Sequence, residues 1–257
     1  MIEIINLCKS FDDNLVLGNV NLKINTAETI VIIGRSGGGK SVLLKLIIGI
    51  LKPESGEIFI DGEDITKMKG GDLDRMRMKF GMLFQGGALF DSLSVGENVG
   101  FFLTEHTHSQ EEIIKSRVSE CLGLVGLSGT QDFKPAQLSG GMKKRVALAR
   151  AICMHPEIIL YDEPTTGLDP ITADAINNLI VDLHDKLKVT TIAVTHDMKS
   201  AYKIGSRIAM LYKGKIIAVG TPEEIQNTDN PIVKQFISGQ AQGVISVEEE
   251  IRPGNIS

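Results

Sequence analysis

A glycine-rich stretch of the chain combines the residue types that bind phosphate. It reads GRSGGGKS and lies between an apolar run, Thr29–Ile33, and an apolar helical pattern. Glycines allow consecutive backbone N–H groups to face an anion, and the N-terminus of a following helix adds positive charge. A glycine-rich turn without a ligand is the alternative, but a strand, this loop and a helix in succession favour a nucleotide site. The candidate binding residues are Gly34, Ser36, Gly37, Gly38, Gly39, Lys40, Ser41 and Val42.

Within this loop, two side chains have separate tasks. Lys40 could reach the β- and γ-phosphates of a nucleoside triphosphate, because its ammonium group is carried on a long flexible chain. The Ser41 hydroxyl could bind Mg²⁺, which prefers oxygen ligands. The pattern therefore predicts a loop that binds both the triphosphate and its metal ion.

Acidic side chains and a histidine follow two other apolar runs. Ile158–Asp162 ends in a carboxylate that is followed by Glu163, and Thr191–Thr195 is followed by His196. Asp162 could hold Mg²⁺, and Glu163 could polarise an attacking water molecule as a general base. His196 could contact the γ-phosphate or position Glu163. Taken alone, these residues could equally be solvated strand ends, but beside the phosphate loop they predict a hydrolytic site.

Alternating strand and helix patterns must position these groups. Strands are predicted at Ile2–Leu7, Val20–Ile24, Thr29–Ile33, Glu57–Asp61, Phe80–Phe84, Ile158–Asp162, Thr191–Thr195, Ile208–Leu211 and Ile216–Val219. Helices are predicted at Lys40–Ile50, Glu111–Leu124, Ser139–Met154, Pro170–Leu187 and Met198–Ile204. Such alternation is typical of an α/β fold with a mostly parallel sheet between helices, and ligand chemistry in such folds lies at the carboxyl ends of the strands.

The predicted elements also suggest how the chain is divided. Residues 86–155 contain no convincing strand, which predicts a helical subdomain inserted between two parts of an α/β core, 1–85 and 156–238. Residues 239–257 mix glycine, glutamine and an acidic run, Glu248–Glu250, and are expected to form a loosely held tail.

Composition excludes several classes of protein. The chain has 257 residues, of which 42% are hydrophobic and 23% charged, so a disordered or coiled-coil protein is excluded. Its net charge of −5 argues against nucleic acid as a partner. The cysteines Cys8, Cys121 and Cys153 lie far apart, as expected for reduced thiols. No signal peptide is expected, and the longest apolar run is too short to span a bilayer.

The segment LSGGM at Leu138–Met142 completes a recognisable set of motifs. In chain order these are the phosphate loop, Gln85, LSGGM, the Asp162-Glu163 pair, Gly167-Leu168-Asp169 and His196. Together they resemble the ATPase subunits of ATP-binding cassette (ABC) transporters over residues 1–238. The resemblance implies a nucleoside-triphosphatase fold with an N-terminal antiparallel β subdomain, with ATP and Mg²⁺ as cofactors.

The same resemblance implies roles for residues outside the loop. Phe11 would stack on adenine, Gln85 would sense Mg²⁺ and the attacking water, and Asp169 would lie at an interface between two copies of the chain. Ser139, Gly140 and Gly141 would contact the ATP bound by the second copy. Glu163, His196 and Gln85 would be catalytic, and Ser41, Gln85 and Asp162 would surround the metal. Two ATP molecules would thus hold a homodimer together.

Departures from the usual family pattern narrow the resemblance. Met142 and Lys144 stand where glutamine is common, and with residues 83–93 they are similar to ATPases of the Mla-type (Mce-associated) lipid transporters. This implies phospholipid as cargo, an integral-membrane permease, an MCE-domain lipid-binding protein, and a peripheral place on the cytoplasmic face of the inner membrane. The alternatives are transport of a small solute or lipoprotein, a soluble ABC protein without a transport role, and a regulator that binds nucleotide without turnover.

Two further segments are candidate contact surfaces. The apolar residues after Gln85 are expected mostly to be buried in the helical subdomain, with Ala88, Leu89 and Phe90 facing a short helix of the permease. Residues 231–236 could be an amphipathic clasp on a neighbouring subunit or an ordinary surface helix.

Overall fold

Two β-sheets and a set of covering helices make up the fold. The computed structural model describes residues 1–107 and 109–245. The strands are β1 (Ile2–Phe11), β2 (Asn14–Ile24), β3 (Thr29–Ile33), β4 (Ser55–Ile60), β5 (Glu63–Asp64), β6 (Phe80–Leu83), β7 (Ile158–Asp162), β8 (Thr190–Thr195), β9 (Arg207–Tyr212) and β10 (Lys215–Gly220). The helices are α1 (Lys40–Ile47), α2 (Gly70–Arg77), α3 (Val95–His106), α4 (Glu111–Leu124), α5 (Gly140–Ile152), α6 (Pro170–Leu187), α7 (Met198–Ile204), α8 (Pro222–Gln226) and α9 (Pro231–Ser238).

The larger sheet is mostly parallel and gathers the predicted site at one edge. Its order is β10-β9-β3-β8-β7-β6, and only the β10–β9 pair is antiparallel. Ile33 at the end of β3 pairs with Thr195, and Asp162 at the end of β7 pairs with Val194. The phosphate loop, Asp162 and His196 therefore follow strands that end side by side. A smaller antiparallel sheet, β2-β1-β4-β5, comes from the N-terminal part of the chain, so the predicted fold class is confirmed.

Strand β3 shows why the centre of the larger sheet is apolar throughout. All of its residues are buried: Val31 and Ile33 pack into one hydrophobic cluster, and Ile30 and Ile32 pack into another. A parallel strand covered on both faces needs apolar side chains at every position. The second cluster also includes α1 and the smaller sheet, which holds the phosphate loop between the two sheets.

Between β6 and β7, helices replace strands. This part of the chain carries α3, α4 and α5, and in the described residues it contains no strand. Val95, Val118 and Val146 from the three helices join the same hydrophobic cluster as Val31 and Ile33 of the larger sheet. The helical region therefore shares its core with the α/β part. No helix in 1–107 or 109–245 is long and apolar enough to cross a bilayer.

Some helix boundaries differ from the predicted ones for local reasons. Helix α5 begins at Gly140, because the Ser139 side chain accepts a hydrogen bond from the backbone N–H of Met142 and so caps the helix from outside it. Helix α1 ends at Ile47 and is followed by Gly49 with a φ of 72°. Helix α3 is absent from the predicted set, although Ser94 and Glu97 form a capping box at its start.

The chain after α9 turns back onto that helix. Gln235 is buried, its amide nitrogen donates to the carbonyl oxygens of Gln240 and Ile245, and its amide oxygen accepts from the N–H of Ile245. These hydrogen bonds hold the beginning of the predicted tail, 239–245, against the helix. The remainder, with the Glu248–Glu250 run, lies outside the described residues.

Candidate nucleotide-binding site

The glycine-rich loop adopts a conformation that larger residues would prevent. Gly39 has a φ of 92°, in the left-handed region that glycine occupies without strain, and it precedes α1 without a side-chain cap. At Gly34 a Cβ atom would lie 2.4 Å from the carbonyl oxygen of Leu211. The loop therefore lies closely against β9 and leads into an uncapped helix N-terminus, which favours an anion. Ser36 is exposed, and Val42 is half-buried in the first turn of α1.

Lys40 is buried and placed to exchange its present partners for a phosphate. Its Nζ atom donates to the carbonyl oxygens of Gly34 and Arg35, both at 2.9 Å, and lies 3.6 Å from Oε1 of Glu163. Burial lowers the pKa of the ammonium group, whereas the carboxylates of Glu163 and Asp162 raise it. A phosphate oxygen placed beside the loop would provide the charged partner that the backbone carbonyls do not.

Ser41 and Asp162 meet at 2.7 Å, with the serine hydroxyl donating to Oδ1 of the carboxylate. They come from two separate motifs, one at the start of α1 and the other at the end of β7. Mg²⁺ in nucleotide sites takes one or two protein oxygens and completes its shell with phosphate and water. This pair of hard oxygen donors fits that requirement, so both residues remain candidates for holding the metal.

Glu163 is fixed in an unusual backbone conformation. Its φ is 48°, in the left-handed region, and its N–H donates to the carbonyl oxygen of Val194 at 3.0 Å. Such conformations cost energy for a residue with a side chain and occur where surrounding contacts impose them. The conformation turns the chain sharply at the end of β7, immediately after Asp162.

The Glu163 carboxylate is oriented by three neighbouring side chains. Oε2 accepts from the hydroxyls of Thr166 at 3.1 Å and Thr195 at 3.3 Å. Oε1 lies 2.9 Å from Nδ1 of His196, whose side chain is 48% exposed. A carboxylate that is buried yet contacts a half-open histidine can accept a proton from water and pass it outward.

Gln85 lies at the same edge of the sheet, and the hydrogen bond described for it involves its backbone carbonyl. It follows β6, whose Leu83 pairs with Tyr161 of β7, and its side chain is exposed. The buried Nζ of Lys144 donates to the Gln85 carbonyl oxygen and also, at 3.4 Å, to that of Glu163. The structure thus links Gln85 to Glu163, while contact of its side chain with a metal stays a prediction.

Phe11 lies at the hairpin between β1 and β2, where it pairs with Asn14, and 43% of it is exposed. The same strand β2 brings Val16 against the phosphate loop, since a Cβ on Gly39 would lie 3.0 Å from Val16 Cγ1. Lys9 Nζ lies 5.0 Å from the centre of the Phe11 ring. The ring is thus partly exposed at the hairpin that leads into the strand beside the loop, while its stacking on adenine stays a prediction.

Ser139, Gly140, Gly141 and Asp169 form a second group, around the starts of α5 and α6. Gly141 packs so closely on α6 that a Cβ would lie 2.6 Å from Thr172 Cγ2, and Asp169 caps the same helix by accepting from the N–H groups of Ile171 and Thr172. The hydrogen bond from Thr172 also holds the pKa of Asp169 below its ordinary value. Within the described ranges no hydrogen bond joins this group to Lys40, Ser41 or Asp162. In one copy of the chain the two groups are therefore not joined by side-chain hydrogen bonds among the described residues.

More than half of the chain matches a known protein family. The family model described as "ABC transporter" matches residues 17–166. The chain belongs to the ABC transporter ATPase family. It is accordingly an ATP-binding protein and an ATP hydrolase, as the loop, the Ser41–Asp162 pair and the oriented Glu163 carboxylate indicate.

Individual relatives cover most of the chain. It is 42% identical over 245 residues to the intermembrane phospholipid transport system ATP-binding protein MlaF of Haemophilus influenzae, covering 95% of this chain and 93% of that protein. It is also 42% identical over 249 residues to the probable ribonucleotide transport ATP-binding protein mkl of Mycobacterium tuberculosis, covering 97% of this chain and 69% of that one. The dimeric ABC cassette MJ0796 bound to ADP and Pi matches with a TM-score of 0.80 at 35% identity, covering 86% of this chain and 99% of that one.

Sequence reasoning missed part of the site's support. Thr166 and Thr195 orient Glu163, and Lys144 bonds to two backbone carbonyls beside it. Thr195 ends a predicted strand, and Thr166 lies three residues after Glu163. Their contacts with Glu163 depend on its left-handed backbone conformation, and no pattern in the sequence predicts that conformation.

Proposed function

We propose that the chain is the ATPase subunit of a membrane transporter that moves phospholipid, and that two copies close around two Mg-ATP. The observation that carries the proposal is the division of the site. The phosphate loop and Glu163 form one group, and Ser139–Gly141 with Asp169 form another, of which Ser139, Gly140 and Asp169 are exposed. A second copy would complete each site. The dimeric ABC cassette at 35% identity supports this arrangement.

The residues of one copy then have distinct tasks. Lys40 and the loop N–H groups bind the β- and γ-phosphates, and Ser41 and Asp162 would hold Mg²⁺, which when bound neutralises phosphate charge. Glu163 accepts a proton from water, with His196 and two threonines fixing its carboxylate. Gln85 joins this group through the chain that leads into the helical region. From the second copy, Ser139 and the N-terminus of α5 would face the γ-phosphate.

An aromatic surface on the helical region is proposed to contact the permease. Phe90 and Phe102 are 43% and 42% exposed, and Phe101 lies between them, with ring centroids 4.7 Å from Phe90 and 5.5 Å from Phe102. Ala88 is also exposed, whereas Leu89 packs partly against the core. Exposed apolar side chains grouped in this way favour an amphipathic helix as partner.

Phospholipid is proposed as the cargo because the relative of Haemophilus influenzae, matched over 93% of its length, is named for phospholipid transport. An MCE-domain lipid-binding protein would then be the substrate carrier, and the chain would lie peripherally on the cytoplasmic face of the inner membrane. The mkl relatives are named for ribonucleotide transport, so another cargo is the competing proposal.

The proposal is tested by trapping the assembled transporter. The E163Q variant should bind Mg-ATP without hydrolysing it and should co-purify from membranes with a permease and bound phospholipid, measured by mass spectrometry of protein and lipid extracts. The variant F90D in the same background should still bind ATP but lose the permease. Co-purification of nucleotides or a small solute in place of lipid would contradict the cargo, and retention of the permease by F90D would contradict the docking surface.

A further inference from the structure

Helix α5 carries a lysine in an environment that rarely accepts one. Lys144 is 6% exposed, and it forms no ion pair with any side chain in 1–107 or 109–245. Its Nζ donates to two backbone carbonyl oxygens, those of Gln85 and Glu163. Burial lowers the pKa of this ammonium group, and the carboxylates of Asp162 and Glu163 partly offset that effect. Burial of a cation without an ion-pair partner costs free energy unless hydrogen bonds to the protein replace those to water.

The two carbonyl groups belong to the two segments that flank the reaction. Glu163 has a left-handed backbone conformation. The orientation of its carbonyl group is coupled to this turn, and the turn determines where its carboxylate points. Gln85 begins the segment that leads from β6 into the helical region. A single ammonium group that donates to both carbonyls fixes their separation.

We propose that Lys144 is a positioning residue that holds Glu163 and Gln85 in register for ATP hydrolysis. The proposal rests on the roles assigned above to these two residues. Lys144 has no described hydrogen bond to Gly34–Ser41, whereas Lys40 bonds to that loop directly. Lys144 therefore acts on the hydrolytic step and leaves ATP affinity to the loop.

The test measures hydrolysis by the full chain with Mg-ATP. K144M removes both hydrogen bonds, and we expect kcat to fall about tenfold or more, which corresponds to about 1.4 kcal/mol of barrier. The KM for ATP should stay within about threefold of wild type. K144Q keeps amide donors in place of the ammonium and should retain a kcat clearly above that of K144M but below wild type. A K144M rate within about twofold of wild type, or equal rates for K144Q and K144M, would overturn the proposal.

A matched variant separates positioning from general loss of structure. Arg117 is also a buried cation of the helical region, and its guanidinium donates to the carbonyl oxygens of Ile152 and Cys153 at 2.8 and 3.0 Å. R117Q should lower the melting temperature with kcat within about twofold of wild type. If R117Q lowers kcat as much as K144M does, the effect of Lys144 is structural and the proposal fails. Should K144M not fold, an unchanged kcat for K144Q overturns it equally.

A double variant links Lys144 to Glu163. If Lys144 acts by positioning that carboxylate, K144M should cause a smaller loss of rate in a T166V background, which already lacks one of the hydroxyls that orient Glu163, than in wild type. Additive losses would overturn the proposal. Full turnover by E163Q alone is a different outcome, since it would remove Glu163 from the proposed function.

Discussion

Lys40 and Glu163 differ in how completely the surrounding protein satisfies their charged groups. Lys40 meets only carbonyl oxygens at hydrogen-bonding distance and lies 3.6 Å from a carboxylate, so a phosphate would be a better partner. Glu163, by contrast, is already fully oriented by Thr166, Thr195 and His196. In the proposed function, binding would therefore depend on Lys40, which must change partners, and hydrolysis on Glu163, whose carboxylate is already oriented.

We expect K40A to weaken ATP binding by about 10- to 100-fold, because a charge-assisted contact to phosphate contributes about 1.5–3 kcal/mol. Isothermal titration of the full chain with ATP would measure the change. Lys45 lies one turn further along α1 and is half-buried, and K45A should bind ATP within about twofold of wild type. Equal affinities for K40A and wild type would show that Lys40 does not bind phosphate.

Local geometry could be predicted from the sequence where one motif determines its own conformation. The sequence GRSGGGKS predicts a loop and a helix start, because the conformation of its glycines depends on neighbouring residues alone. The Ser41–Asp162 contact follows from strands that end side by side. Lys144 lay beyond such reasoning. The sequence marks it as a departure from the glutamine common at that position, but its burial and its bonds to the Gln85 and Glu163 carbonyls follow from how α5 packs beside those two segments.

Among the secondary-structure elements, local end signals agree with the predicted bounds of two helices but do not account for every helix. Helices α6 and α7 have the predicted bounds because Asp169 and Asp197 cap them and proline or glycine lies beside their ends. Helix α3 was missed because Gly96, Gly100 and two adjacent phenylalanines obscure its apolar periodicity. Tertiary packing of Val95 and Val99 stabilises this helix, and that packing is not visible locally.

Asn98 in α3 is expected to be essential for the segment that follows Gln85. It is fully buried, accepts from the N–H of Phe90, and donates to the carbonyl oxygens of Phe90, Leu93 and Ser94. N98A leaves those backbone groups without partners and should lower the free energy of unfolding by about 2–4 kcal/mol, measured by urea denaturation. T104A on the same helix should change it by less than about 0.5 kcal/mol. A small effect of N98A would show that water replaces the side chain.

For the molecule as a whole, the proposed function requires that each copy carries complementary halves of a site. The phosphate loop lies between the two sheets, whereas Ser139 and Asp169 are exposed at the starts of two helices. Composition could not predict this separation. It emerges because the helical region shares its core with the sheet and so has a fixed place beside it.

S139R should therefore bind Mg-ATP with normal affinity and yet fail to dimerise, because a bulky cation would occupy the surface meant for the second copy's nucleotide. Light scattering of S139R/E163Q with Mg-ATP should report a monomer, whereas E163Q alone should report a dimer. Ser128 is an exposed serine in the same helical region, and S128R/E163Q should dimerise normally. A dimer of S139R/E163Q would argue against the two-copy site.

Helix α5 has a mechanical consequence that extends beyond any one contact. Along it, Ser139 meets solvent at one end, Lys144 reaches the catalytic segments, and Arg150 donates to the carbonyl oxygens of Gly87 and Ala88 beside the aromatic surface. An α-helix rises about 1.5 Å per residue and hardly stretches, so these points keep fixed spacings of several ångströms. If a permease displaces the aromatic surface, as proposed, the movement reaches Lys144 and Ser139 together, because the same stiff helix joins all three points.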